Sequence, residues 1–297
     1  MVQGSDWDRY WAGRGQAGEA FLGEGVERHP ALSTYWSEVF EHHTGAGLID
    51  LAAGAGAVAR IAAESGLDVT ASDVSGAAMK VLAEKDHRIS CHTTSAEQLP
   101  YPTASFDMAV SQFGIEYAPP RAFGEAVRVL RPGGTFHFLC HIEGGVIHTE
   151  VRGHRRGADA LLASGFFDAA KILTAELFGQ PGTNGREAYG RAEPLALQSG
   201  TPLAQHAIGG FRQMAARFRA YDQKDIFGWL GGMEEEARAY AGRLASMEEA
   251  ALTEEAAKAA VRALENAGAA CEPLAVFRLD PAEAPAAWVI KGTCKRG

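Results

Sequence analysis

The sequence predicts an α/β fold, a mostly parallel sheet of about seven strands ending in an antiparallel C-terminal hairpin, with a large helical insertion before the last two strands. Three observations predict it. From Gly47 to His141, short apolar runs alternate with stretches long enough for crossover helices. From Gly145 to Ala270 the strand rhythm stops, and the chain is rich in Ala, Glu and Arg with helical periodicity. After Ala270, apolar runs return around a Pro-containing turn.

A first helix is expected over Pro30–His43, in an N-terminal region that is otherwise polar, aromatic and glycine-containing. Strands are expected at Leu48–Ala52, Leu67–Ser72, Ile89–Thr93, Phe106–Ser111 and Thr135–Cys140. Crossover helices fit Ala57–Ser65, Ser75–Asp86 and Pro120–Leu130. Strand, helix, strand at this spacing is the pattern of βαβ units, because parallel neighbours need a long crossover. In the insertion, helices are expected over Ala158–Phe178, Leu203–Arg219, Met233–Met247 and Thr253–Ala267, with Gly179–Gly185 and Gly231–Gly232 as punctuation. Leu274–Leu279 and Ala287–Gly292 form the closing hairpin.

The 297 residues carry 28 Lys and Arg against 37 Asp and Glu, a net charge of −9. That balance disfavours a nucleic-acid partner, which needs a basic face against phosphates. The four cysteines are far apart and form no CxxC pair. They read as reduced thiols, and with no apolar leader in Met1–Tyr10 and no membrane-length apolar run the expected compartment is the cytoplasm.

The sharpest local signal is Leu48-Ile49-Asp50-Leu51-Ala52-Ala53-Gly54-Ala55-Gly56. A buried strand ends beside an acid, and a turn of small residues lets a ligand lie against the backbone at the carboxyl end of the sheet. Asp73 ends the second strand, where a carboxylate can accept from two ribose hydroxyls, or cap the helix beside Ser75. Gly54–Ala59 also fits a dinucleotide fingerprint. These residues alone therefore admit S-adenosylmethionine (SAM) or NAD.

Further along stand Ala96-Glu97-Gln98-Leu99-Pro100-Tyr101-Pro102, Ser105-Phe106-Asp107-Met108-Ala109-Val110 and Arg128-Val129-Leu130-Arg131-Pro132-Gly133-Gly134. With the glycine turn and Asp73, these blocks resemble in order and spacing the class I SAM-dependent methyltransferases of the small-molecule, ubiquinone/menaquinone C-methyltransferase type. The resemblance covers about Gly47 to His141 and the closing hairpin. It implies a Rossmann-like fold, SAM as cofactor, S-adenosylhomocysteine (SAH) as product and methyl transfer to a small molecule. It implies that Asp50 orients the turn and the SAM amino group, and that Ala52, Gly54 and Gly56 floor the methionine part. Asp73 would bind the ribose, Val74 would pack on adenine, Ser95, Ala96 and Glu97 would lie at the adenine edge, and Gln112 near the methionine end. Tyr10, in Trp7-Asp8-Arg9-Tyr10-Trp11, is the expected lid residue. The chain departs from the family pattern at Ala52, usually Gly, where one methyl should be tolerated, and at Ser95, often Asp. "RVLRPGG" is read as architecture that turns the chain into the fifth strand. The division expected is 1–46 as lid helices, 47–144 as the SAM-binding core, 145–270 as a helical cap and 271–297 as the hairpin.

For the acceptor end, His141 and Glu116 are the candidate catalytic residues, His141 first, because each follows a strand whose carboxyl end faces the cofactor crevice. Tyr117, His148 and Arg152 are candidate substrate contacts. The basic cluster from His148 to Arg156 suits a carboxylate or phosphate, so an anionic small molecule is one expected substrate. No ligand set has metal spacing, and no metal is expected. The insertion could cap the active site or make a homodimer. Other readings of the chain are a non-catalytic SAM-binding scaffold, an NAD(P)-dependent oxidoreductase and a SAM enzyme that transfers no methyl. The acceptor atom is not legible in these residues.

Overall fold

The computed structural model describes residues 7–8, 10–11, 29–180, 184–280 and 284–295, so most of the expected lid segment 1–46 before Pro30 lies outside the described residues. Its sheet has eight strands, β1 (Gly47–Leu51), β2 (Asp68–Asp73), β3 (Ser90–Thr93), β4 (Phe106–Gln112), β5 (Leu130–His141), β6 (Ala269–Cys271), β7 (Ala275–Phe277) and β8 (Ala287–Cys294). The order is β3-β2-β1-β4-β5-β8-β6, with β7 also on β8. Pairing is parallel from β3 through β5 and antiparallel from β5 to β8 and beyond. The order reverses at β1 and β4, which opens a crevice at their carboxyl ends, the usual ligand position in such sheets.

β6 and β7 lie one after the other along the same side of β8, Ala269–Cys271 opposite Cys294–Gly292 and Ala275–Phe277 opposite Val289–Ala287. The seventh lane is thus one strand interrupted at Glu272-Pro273-Leu274, since proline cannot donate to a ladder. The expected seven lanes and antiparallel end are present, and the extra strand is the short β6.

The helices α1 (Pro30–Phe40), α2 (Ala57–Glu64), α3 (Gly76–Lys85) and α4 (Arg121–Val129) lie close to the expected bounds. α2 starts from Gly56, whose left-handed φ of 79° suits glycine. α3 starts from Ser75, whose hydroxyl accepts the Ala78 N–H at 3.1 Å. β5 starts earlier than expected. Phe106 pairs with Leu130 and Met108 with Thr135, so most of "RVLRPGG" is a bulge inside the strand rather than a turn before it.

Contacts divide the chain into two units, the described residues of 1–150 with 246–297, and 151–245. In the first, one core runs through Ile49, Leu51, Phe136, Phe138, Phe123 and Val127 and takes in Ala260 and Leu264 of α10 (Glu254–Asn266). Thr253 caps α10 by accepting the Ala256 N–H at 3.1 Å. The sequence reading grouped α10 with the insertion; it packs instead on the sheet and α4, because Ala257, Ala260 and Leu264 form one buried stripe.

The second unit is helical. Between the units' boundaries run α5 (Val146–Ala163), α6 (Phe166–Leu177), α7 (Gly185–Leu197), α8 (Pro202–Ala216) and α9 (Gln223–Ala250). The single helix expected over Ala158–Phe178 is two, broken at Ser164-Gly165. α7 went unread because the sequence from Gly179 to Gly185 looks only like punctuation. α9 runs through Gly231-Gly232, where helix formers on both sides outweigh about 1 kcal/mol per glycine. Phe166, Phe167, Phe211, Ile208 and Leu230 make this unit's own core.

Candidate cofactor and acceptor site

The site is built where β1, β2, β4 and β5 end. Asp50 is 1% exposed near the end of β1, and its Oδ2 accepts the Ala59 N–H of α2 at 3.0 Å. That bond ties strand to helix across the small-residue turn. Burial pushes the Asp50 carboxyl up to about 8, and the charge of Asp73 adds to this against the single backbone bond. Asp73 holds the turn from the other side. Its Oδ2 accepts the Gly54 N–H at 2.9 Å and its Oδ1 the Ser75 N–H at 2.8 Å. Burial raises its carboxyl, with the charge of Asp8 adding, while the N–H groups of Ser75, Gly54 and Val74 oppose the rise.

Each Asp73 oxygen keeps a lone pair beyond its backbone bond, so the carboxylate can serve as a helix-start anchor and still accept from a ligand hydroxyl. Val74 follows with 51% exposure, an apolar side chain left open beside the acid. Ala52 adopts φ 54°, a left-handed backbone in which its methyl is strained.

The loop at 99–101 is pinned from α4. Arg128 donates to the carbonyls of Tyr101 at 2.8 Å and Leu99 at 3.1 Å, and to both Glu125 oxygens at 2.8 Å. Glu125 in turn accepts the Leu99 N–H at 3.0 Å. This gives the first residue of "RVLRPGG" a definite task, holding 99–101 beside the β2 and β3 ends. Ser95 accepts the Glu97 N–H at 3.2 Å, Ala96 is buried in the core, and Glu97 pairs with Arg121. Gln112 at the end of β4 accepts from the Trp36 indole N–H at 2.6 Å.

The N-terminal residues that are described lie against this site. The Asp8 carboxylate accepts the Ser75 hydroxyl at 2.6 Å and the Ala77 N–H at 3.3 Å. Trp11 is buried, and a Cβ added at Gly54 would come within 2.7 Å of its indole. Tyr10 packs edge-on against Trp11 at 4.9 Å between ring centroids.

Near the end of β4, Ser111 donates its hydroxyl to the Leu51 carbonyl at 2.7 Å and accepts the Ile115 N–H at 3.0 Å. It thereby fixes the short 3₁₀ turn Ile115–Tyr117 to β1. From that turn Glu116 reaches His141 at the end of β5. One carboxylate oxygen, Oε1, accepts both the His141 backbone N–H at 2.9 Å and Nδ1–H at 2.8 Å. The His141 and Glu116 side chains are 1% and 0% exposed. Phe113 lies over the imidazole at 4.5 Å, and Tyr117 stands edge-on to it at 6.0 Å. Trp7 continues the series against Tyr117 at 5.8 Å. Burial drives the Tyr117 phenol well above its ordinary range, and the charge of Glu116 adds.

Glu116, Tyr117 and His141 are therefore brought together. His148 lies at the start of α5, where its Nδ1 accepts the Gly144 N–H at 3.0 Å, and Arg152 is exposed farther along that helix. Among the described residues no group of three or more His, Cys, Asp or Glu could hold a metal ion, and no helix is long and apolar enough to cross a membrane. The sequence does not show Trp36 as a partner of Gln112, the contacts of Asp8 and Trp11 within the expected lid run, or the loop-pinning role of Arg128. A Trp in an N-terminal aromatic run signals packing but not its target. Arg128 sits inside a motif whose contacts depend on tertiary placement.

Residues 49–138 match the methyltransferase domain family. The chain is 39% identical over 123 residues to a ubiquinone/menaquinone biosynthesis C-methyltransferase of Methylobacterium nodulans, a match covering 38% of this chain and 47% of that protein. It is 36% identical over 89 residues to a demethylmenaquinone methyltransferase of Renibacterium salmoninarum, covering 29% and 38%. The chain thus spans less than half the length of these relatives. Among solved structures, the [4+2]-cyclase SpnF resembles it loosely, at TM-score 0.44 and 17% identity over 94% of this chain and 84% of that one. The family match and the motif order agree against the dinucleotide alternative, and residues 49–138 constitute a class I SAM-dependent methyltransferase domain.

Proposed function

We propose that this chain transfers a methyl group from SAM to a small-molecule acceptor and releases SAH. The observation that carries the reading is the pair of buried strand-end acids, Asp50 and Asp73, flanking the turn at Ala52–Gly56 within the methyltransferase domain.

The donor chemistry fits. SAM presents an ammonium, ribose hydroxyls and an adenine face; this chain offers a buried carboxyl at Asp50, lone pairs at Asp73 and open apolar surface at Val74. In this reading Ala52, Gly54 and Gly56 floor the methionine part, Ser95, Ala96 and Glu97 line the adenine edge, and Gln112 lies toward the methionine end. Ser95 keeps a donor and a second lone pair beyond its bond from Glu97. Tyr10 and Trp11 close over the turn, and an aromatic face near a sulfonium gains roughly 0.5–2 kcal/mol. The cofactor supplies a methyl group on a positively charged sulfur. The protein's part is to orient the acceptor and to exclude water, and the rings of Phe113, Tyr117 and His141 serve both ends.

The acceptor end is the Glu116–His141 pair, with Tyr117 as substrate contact. His148 and Arg152 stand as substrate contacts on the strength of their sequence position alone. Calorimetric titration with SAM, SAH and NADH, with Asp73→Ala as control, tests the reading. Micromolar SAM and SAH binding, lost in the variant, is expected. NADH binding without SAM or SAH binding would overturn it.

A further inference from the structure

We propose that Glu116, rather than His141, is the proton acceptor, and that the group it serves is a hydroxyl on an uncharged, ring-bearing acceptor. The inference rests on the methyltransferase reading of this site. Its starting point is an asymmetry within one carboxylate. Oε1 of Glu116 takes two donors from a single residue, the backbone N–H and Nδ1–H of His141. Oε2 is fully buried and has no hydrogen-bond partner among the described residues. A buried carboxylate oxygen left unpaired is costly, and a ligand donor that reaches it removes the cost.

The phenol oxygen of Tyr117, the next residue, is likewise buried without a partner among the described residues. Around these two residues the rings of Trp7 and His141 lie against Tyr117, and Phe113 lies over the imidazole that Glu116 holds. Such a setting takes a flat apolar body carrying a hydrogen-bond donor. It disfavours an anion, because a second negative charge beside the buried Glu116 carboxylate is repelled.

The chemistry selects a hydroxyl among donors. As the acceptor oxygen's lone pair forms the O–CH3 bond, the C–S bond breaks and its electron pair stays on sulfur. The O–H becomes strongly acidic during that step, so a carboxylate is base enough to take the proton onto Oε2. An amine nitrogen can keep its proton after transfer and needs no such base. His141 is then a positioning residue. Its two donors hold Oε1 so that Oε2 is the oxygen presented.

The test compares three probes of one shape, 2-naphthol, 2-methoxynaphthalene and 2-naphthoate. Binding is measured by calorimetry with and without SAH, and labelled-methyl transfer to naphthol is followed. Naphthol is expected to bind about tenfold more tightly than its ether, with naphthoate weakest, a preference of about one hydrogen bond. Glu116→Gln is expected to lower transfer by about 10²-fold or more and to erase the naphthol preference, while SAH affinity and melting temperature stay near those of the parent protein. His141→Asn, whose amide can replace Nδ1–H, is expected to keep most transfer, and His141→Phe to lose it. Equal binding of naphthol and ether, including no binding of either, overturns the proposal, as does tightest binding of naphthoate or undiminished transfer by Glu116→Gln. Failure of SAH itself to bind would instead count against the cofactor reading, and the probe series without SAH would still decide the role of Glu116.

Discussion

Ala52 and Gly114 divide one space between them. A Cβ built on Gly114 would lie 2.7 Å from the Cβ of Ala52 and 2.7 Å from its carbonyl oxygen. The methyl at Ala52, where the family usually has glycine, is accommodated because the facing position has none. Gly114→Ala should therefore destabilise the protein by about 1–3 kcal/mol. Ala52→Gly should relieve left-handed strain of roughly 1–2 kcal/mol against about 0.5–1 kcal/mol of added chain entropy, leaving stability equal or slightly higher. In urea melts the double variant should recover only part of the Gly114→Ala loss, since the carbonyl contact remains.

Asp50 should make stability fall as pH rises. Its folded carboxyl sits at about 8 against 3.8 for the ordinary group. Its contribution is thus fully present below the lower value and is lost as pH climbs through the upper one. Asp50→Asn keeps an acceptor for the Ala59 N–H and removes the titration. Unfolding free energies of the two proteins should diverge between pH 4 and pH 8, with the parent losing ground; parallel curves would contradict this account.

Protons should also leave when cofactor binds. A ligand ammonium near Asp50 favours the ionised carboxylate, so SAH binding near pH 7 should release a fraction of a proton. Calorimetry in buffers of different ionisation enthalpy should show the release, and Asp50→Asn should abolish it.

Arg128 should matter to a ligand it does not touch. Arg128→Met removes the donors that hold the Leu99 and Tyr101 carbonyls and leaves Glu125 short of its partner. A loss of about 1–3 kcal/mol in stability is expected, with weaker SAH binding, and Arg128→Lys should fall between because it keeps charge but not the fork.

Trp11→Ala should weaken SAH by about tenfold, and Trp11→Phe much less, because the ring face against Gly54 is what the cofactor turn loses. Calorimetry with each variant measures the difference.

The parallel sheet was legible because buried strands write themselves as apolar runs, and Leu48–Leu51 or Met108–Val110 need no partner to be recognised. The strand-end acids were legible for the same reason, since Asp50 and Asp73 interrupt or end such runs. What escaped depends on contacts between distant segments. Nothing near Trp36 names Gln112, and nothing near Asp8 names Ser75. The helical region misled in a different way. Glycines at 231 and 232 signal a break, yet α9 continues because its neighbours favour helix and no competing turn is built there.

The divided seventh lane has a consequence at the sheet's margin. An outer strand with a long row of unpaired N–H and C=O groups is a template for another chain. Here Pro273 splits that margin into Ala269–Cys271 and Ala275–Phe277, and the opposite margin is only Ser90–Thr93. Neither run is long enough to seat the five or six residues of an ordinary strand, roughly the length a stable addition needs. The registers of the two short strands on β8 also differ by one residue, so an extra residue joins Pro273 in dividing that flank, and both flanks of the sheet are thereby blunted against edge-to-edge self-association.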